Sequence, residues 1–116
     1  MKRLVAAFRN SMAGLAWAAR QETAVGQELL LLLVGAPLAW LLAPDAVGFL
    51  LMLGALLLLL AVELLNTAIE KLADVVMPER DSRIGVVKDL GSAAVFAMLV
   101  MNGLVWGYYL WRWLVL

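Results

Sequence analysis

At 116 residues the chain has room for one domain, and 66% of it is hydrophobic with a mean hydropathy of +0.96, a balance foreign to soluble domains of this size. It contains no Cys and no His, which excludes disulfides, thiol nucleophiles, Cys/His zinc sites and imidazole acid–base chemistry. Nine Lys and Arg balance nine Asp and Glu, so no net field draws in nucleic acid, and chemistry falls to carboxylates, Lys, Arg, hydroxyls and Asn.

Residues 2–21 read as a basic amphipathic helix. Leu4, Phe8, Met12 and Leu15 share one face, while Arg3, Arg9, Asn10 and Arg20 lie on the other. Such a helix ahead of membrane spans is expected to lie in the lipid interface, with Trp17 as an anchor. A sharper reading has Arg3 and Asn10 facing a site. The segment lacks the long apolar core of a secretory signal.

A second helix begins around Gln21-Glu22-Thr23 and forms the first span, residues 23–43. Its uncharged part, Leu29 to Ala43, is 15 residues long and contains Pro37. That is short of the ~20 residues a span needs, so Thr23 to Glu28 are recruited and Glu28 falls inside the headgroup boundary. Glu22 and Glu28, six residues apart, sit about 240° apart around a helix and need separate explanations. Pro44 stops this helix and Asp45 caps the next.

The second span, residues 46–76, carries the most informative stretch. After the uncharged run Ala46 to Val62 come Glu63, Asn66, Thr67, Glu70 and Asp74, all within an arc of roughly 100°. A carboxylate near the centre of a spanning helix costs about 2.5–3.5 kcal/mol, so this stripe must face protein, water or a bound cation. A charged connection, Met77 to Arg83, follows. Lys88-Asp89 is expected to open the third span, residues 86–113, with Lys88, Ser92 and Asn102 on a common face. Gly91-Ser92-Ala93-Ala94 is small enough for close helix approach. Tyr108, Tyr109, Trp111 and Trp113 form an aromatic belt.

Eight of the nine Lys and Arg lie in the N-terminal segment and between residues 71 and 88, with only Arg112 opposite. The positive-inside rule then puts the N-terminus and the polar stripe in the cytoplasm and the C-terminus in the periplasm. Glu22, Glu63, Glu70 and Lys88 share one depth. Carboxylates suit Mg²⁺ with phosphate oxygens, Lys88 suits a phosphate, and a further carboxylate can take a hydroxyl proton. Those are the minimum parts for phosphoryl transfer. A proton- or cation-conducting path fits the same groups. On the residues alone, both readings stand.

Glu63-Leu64-Leu65-Asn66-Thr67-Ala68-Ile69-Glu70 followed by Lys88-Asp89-Leu90-Gly91-Ser92-Ala93-Ala94-Val95 resembles the prokaryotic diacylglycerol kinase family. Ser11, Gly14-Leu15, Glu22 and Gln27-Glu28 resemble it at matching spacing, and the likeness covers nearly the whole chain. Undecaprenol kinases share the first motif, but Gly91-Ser92-Ala93-Ala94 is closer to the diacylglycerol branch.

The resemblance implies an all-α integral membrane protein of the bacterial inner membrane, with a surface helix, three transmembrane helices and a homotrimer whose sites are shared between subunits. It implies transfer of the γ-phosphoryl of ATP, with Mg²⁺, to diacylglycerol, giving phosphatidic acid. Glu63 matches the catalytic base, and Glu22 and Glu70 match metal ligands. Arg3, Asn10, Glu22, Asn66, Glu70, Glu79, Lys88 and Asp89 match ATP-binding positions. Gln27, Glu28, Glu63, Ser92 and Trp106 match the lipid-substrate side. Ala6, Asn10, Gly26 and the Arg80-Asp81 loop depart from the family pattern, which bears on nucleotide binding, while the catalytic set is intact.

Overall fold

The computed structural model describes every residue, Met1–Leu116, as four helices: α1 (Lys2–Gln21), α2 (Thr23–Leu42), α3 (Ala46–Val76) and α4 (Ser82–Val115). Of 97 backbone hydrogen bonds, 89 lie within helices, so almost every peptide group is satisfied inside its own segment, as a bilayer demands. α2, α3 and α4 are long and apolar enough to cross a membrane.

The breaks have local causes. Glu22 adopts an extended conformation (φ −120°, ψ 115°) while its N–H still donates to Ala18 O, making a one-residue joint between α1 and α2. Asp45 accepts from the Gly48 N–H at 2.8 Å and starts α3. Asp81 accepts from the Arg83 N–H at 2.8 Å and pairs with the Arg83 guanidinium at 3.0 Å, which holds its carboxyl below the usual range. This cap starts α4 at Ser82, so the helix begins four residues before the span expected from 86. Lys88-Asp89 therefore lies in the second turn of α4 instead of opening it.

α3 is the central helix, packed chiefly on α4 and then on α2. At one end Ala18, Val25 and Leu60 pack with Leu15, Leu29 and Leu64; at the other, Ala39, Leu42 and Met52 pack with Val105, Trp106 and Tyr109. Only 18 of 116 residues are buried, and Leu33, Trp40, Leu50, Phe96 and Leu104 face outward. Lipid tails are as apolar as these side chains, so an outward apolar surface is the stable arrangement for a membrane chain.

Close approach is arranged at two glycines. A Cβ on Gly35 would stand 2.6 Å from Leu56 Cδ1, and one on Gly91 would overlap Asn66 Oδ1. Without a hydrophobic drive between helices in lipid, such contacts and polar ties set the register. Asn102 supplies one tie: its Nδ2 donates to Ala55 O on α3 and to Met98 O, both at 2.9 Å. Trp106 Nε1 donates to Met52 O at 3.1 Å.

The Asn102 ties make a clear contrast between substitutions. Asn102→Asp replaces the donor with an acceptor against two carbonyls and places an acid in the apolar centre. It should cost about 2.5–3.5 kcal/mol, while Asn102→Leu should stay within about 1 kcal/mol. Thermal unfolding in detergent measures both, and an unchanged midpoint for the Asp variant would refute this view of the α3–α4 seam.

Candidate functional site

The polar stripe of α3 becomes progressively wetter along the helix. Glu63, Asn66 and Thr67 are buried, Glu70 is half-buried and Asp74 is exposed. Asn66 Nδ2 donates to Glu70 Oε1 at 3.2 Å, one turn on, while Asn66 Oδ1 is buried beneath Gly91 without a partner. Glu63 lies within electrostatic reach of Glu22, Glu28 and Glu70. Glu22, Glu28 and Glu70, from the α1–α2 joint, α2 and α3, thus each bear on the charge of Glu63 at the end of the apolar run, without forming a nest of three that could share one ion. Like charges so placed attract cations and protons.

Two basic side chains close the polar end. Lys88 Nζ donates to Asp74 Oδ1 at 2.7 Å, tying α4 to α3. Lys71 Nζ pairs with Glu22 Oε1 at 3.1 Å and lies 5.7 Å from the centre of the Trp17 ring. Beside them runs an apolar groove of about 510 Å³ between α1 and α3, lined by Ser11, Leu15, Leu57, Leu60, Leu64 and Thr67.

A single chain gathers only part of the expected set. Glu22, Glu28 and Glu70 bear on Glu63, Asn66 is bonded to Glu70, and Lys88 reaches the far end of the stripe through Asp74. Glu28 is buried with Oε1 unpartnered, while Gln27 beside it is exposed. Arg3 and Asn10 are exposed on α1, about 28 Å and 18 Å along the helix from Glu22. Glu79 is exposed in the α3–α4 connection, and Asp89 is exposed on α4. Trp106 is tied to Met52, about 16 Å along α3 from Glu63, where it packs against core residues.

Lys88, Ser92 and Asn102 keep their common face on the unbroken α4, within about 80°, but the line of contact with α3 runs along one edge of it. Gly91 and Asn102 are the two buried residues of α4, and Ser92, about 100° round from Gly91, is exposed. The glycine sets the contact line because it alone allows α3 this close.

The family model for prokaryotic diacylglycerol kinase matches residues 9–110. The chain belongs to the prokaryotic diacylglycerol kinase family. Among proteins similar to it, the diacylglycerol kinase of Haemophilus influenzae is 38% identical over 104 residues, covering 90% of this chain and 88% of that protein. The diacylglycerol kinase of Pseudomonas aeruginosa is 42% identical over 106 residues (91% and 86% covered), and that of Escherichia coli K12 is 34% identical over 109 (94% and 89%). Within this diacylglycerol kinase family match fall all the candidate residues except Arg3, which precedes it.

One member of the cluster, Lys71, escaped the sequence reading, and so did the partner of another, Asp74. Lys71 and Asp74 partner Glu22 and Lys88 across helices. Periodicity along α3 placed Asp74 on the stripe but could not say which residue of α4 faces it. Lys71 lay just off the stripe, next to Glu70, and so drew no attention.

Proposed function

We propose that this chain phosphorylates diacylglycerol with MgATP at the cytoplasmic face of the bacterial inner membrane, giving phosphatidic acid. Family membership carries this reading, and the buried position of Glu63 just past the uncharged run of α3 agrees with it. The lipid's primary hydroxyl meets Glu63, which takes its proton as the oxygen bonds to the γ-phosphorus and the bond to the β-phosphate oxygen breaks, releasing ADP. Lys88 leaves Asp74 to bear on the phosphates, and Asn66 positions Glu70. Glu28 and the α1–α3 groove favour the lipid side: an acyl chain fits the groove while its glycerol end reaches the carboxylates.

Glu22 and Glu70 are the residues to hold Mg²⁺. Their hard oxygen donors suit it, and the chain offers no nest of three carboxylates, which fits an ion completed by phosphate oxygens. The bound ion supplies charge neutralisation at the phosphates. Glu70→Gln should raise the Mg²⁺ concentration needed for half-maximal turnover by about tenfold or more, since a ligand and its tie to Asn66 both weaken. An unchanged Mg²⁺ titration would remove Glu70 from the metal site.

Arg3, Asn10 and Trp106 stay remote from Glu63 within one chain, Ser92 is exposed, and α4 buries only Gly91 and Asn102 along 34 residues. A homotrimer with shared sites accounts for both facts, with α1 on the membrane surface and α4 of one subunit completing the site of the next. Transfer of label from γ-labelled ATP to diacylglycerol, compared with undecaprenol, tests the reading. Label on undecaprenol alone would replace the acceptor.

A further inference from the structure

Glu22 occupies the one-residue joint between α1 and α2, where neither helix fixes its side chain. Its carboxylate accepts no hydrogen bond from the backbone or from a neutral side chain; Lys71 of α3 is what holds it. Lys71 is well placed for this. It follows Glu70 by one residue, leans over the Trp17 ring of α1, and lines the mouth of the α1–α3 groove. One cation thus ties the joint, the surface-facing helix and the central helix together.

The tie is built to be released. The Lys71 side chain is 55% exposed and that of Glu22 26% exposed, so the pair is hydrated and weak. A divalent ion approaching Glu22 and Glu70 meets Lys71 on the oxygen it needs and is repelled by its charge. We propose that Lys71 is a positioning residue that holds Glu22 near the α3 carboxylates before the metal arrives and then competes with the metal for it. The proposal rests on the reading of Glu22 as a metal ligand. Lys71 sets the metal concentration at which the site loads, and Trp17 gives the displaced ammonium a place to rest.

Mn²⁺ binding to the nucleotide-free full chain in detergent, read by electron paramagnetic resonance, tests this without turnover. Lys71→Met should tighten Mn²⁺ binding about 3- to 10-fold, as expected for removing one charge beside a divalent site. Lys71→Arg, which keeps the charge, should bind as the wild type does. In a Glu22→Gln background the effect of Lys71→Met should vanish. Unaltered or weaker binding in Lys71→Met, with Glu22→Gln weakening it, would overturn the competition while keeping Glu22 as a ligand. Equal binding by wild type and Glu22→Gln, or no binding by any variant, would overturn the Glu22 reading and the competition with it. Thermal unfolding of each variant reports its folding, and Lys71→Gln, which also removes the charge and should tighten binding likewise, carries the comparison if the Met variant is unstable.

Discussion

Glu63→Gln is expected to lower kcat by about 10²- to 10⁴-fold, the range attributable to a positioned general base. The amide keeps the shape and hydrogen-bonding reach of the carboxyl group but cannot accept the hydroxyl proton. The KM for ATP should change little, because the lost interaction belongs to the transition state. Stability should hold or rise: Glu63 is buried with Glu22, Glu28 and Glu70 within reach of its charge, so the substitution relieves repulsion and burial cost together. A dead but well-folded variant, shown by turnover and thermal unfolding, is the predicted pattern. Turnover near that of the wild type would remove Glu63 from the mechanism.

The second large effect is expected at Gly91. Any Cβ there overlaps Asn66 Oδ1, and Asn66 in turn holds Glu70 at 3.2 Å. Gly91→Val therefore pushes α4 away from α3 or turns the Asn66 amide off Glu70, at a cost of about 1–3 kcal/mol in packing. Lys88 sits less than one turn before Gly91, so it moves too. Displacement of a positioning group by about 1 Å can cost 10²-fold in rate, and turnover should fall on that scale. The cause can be isolated by stability alone. Gly91→Ala should destabilise the wild type measurably but an Asn66→Ala background much less, because the obstructing oxygen is gone. Equal destabilisation in both backgrounds would show that Asn66 is not the obstacle.

These two positions also show what could be read from the sequence. Glu63 was visible because five polar groups fall on one arc of an otherwise apolar helix, a pattern internal to α3. Gly91 was visible only as a small residue suited to close packing; that it meets Asn66 depends on how α4 is rotated against α3. The exposure of Ser92 was hidden for the same reason, since an angular grouping on α4 does not say which edge of it faces α3. The early start of α4 was legible in Asp81-Ser82-Arg83, but the density of charge there reads as a loop until Asp81 is seen capping the helix. The ties from Lys71 to Glu22 and from Lys88 to Asp74 join residues 49 and 14 positions apart and leave no periodic trace.

The proposed function also gives a reason for chemistry at this cluster. Along α3 the environment changes from buried at Glu63 to exposed at Asp74 within three turns. An apolar acceptor can arrive from the bilayer at the first and a charged donor from water at the second. The carboxylates share that boundary with two lysines, each tied to an acid, and under the proposed function a nucleotide and its metal would compete for them.

The most direct measurement is transfer of radiolabel from γ-labelled ATP to a short-chain diacylglycerol in mixed micelles with Mg²⁺, with Glu63→Gln in parallel. Labelled phosphatidic acid from the wild type, and almost none from the variant, is the result predicted. No labelled lipid from the wild type, or equal label from both proteins, would contradict the assignment of a lipid kinase whose base is Glu63.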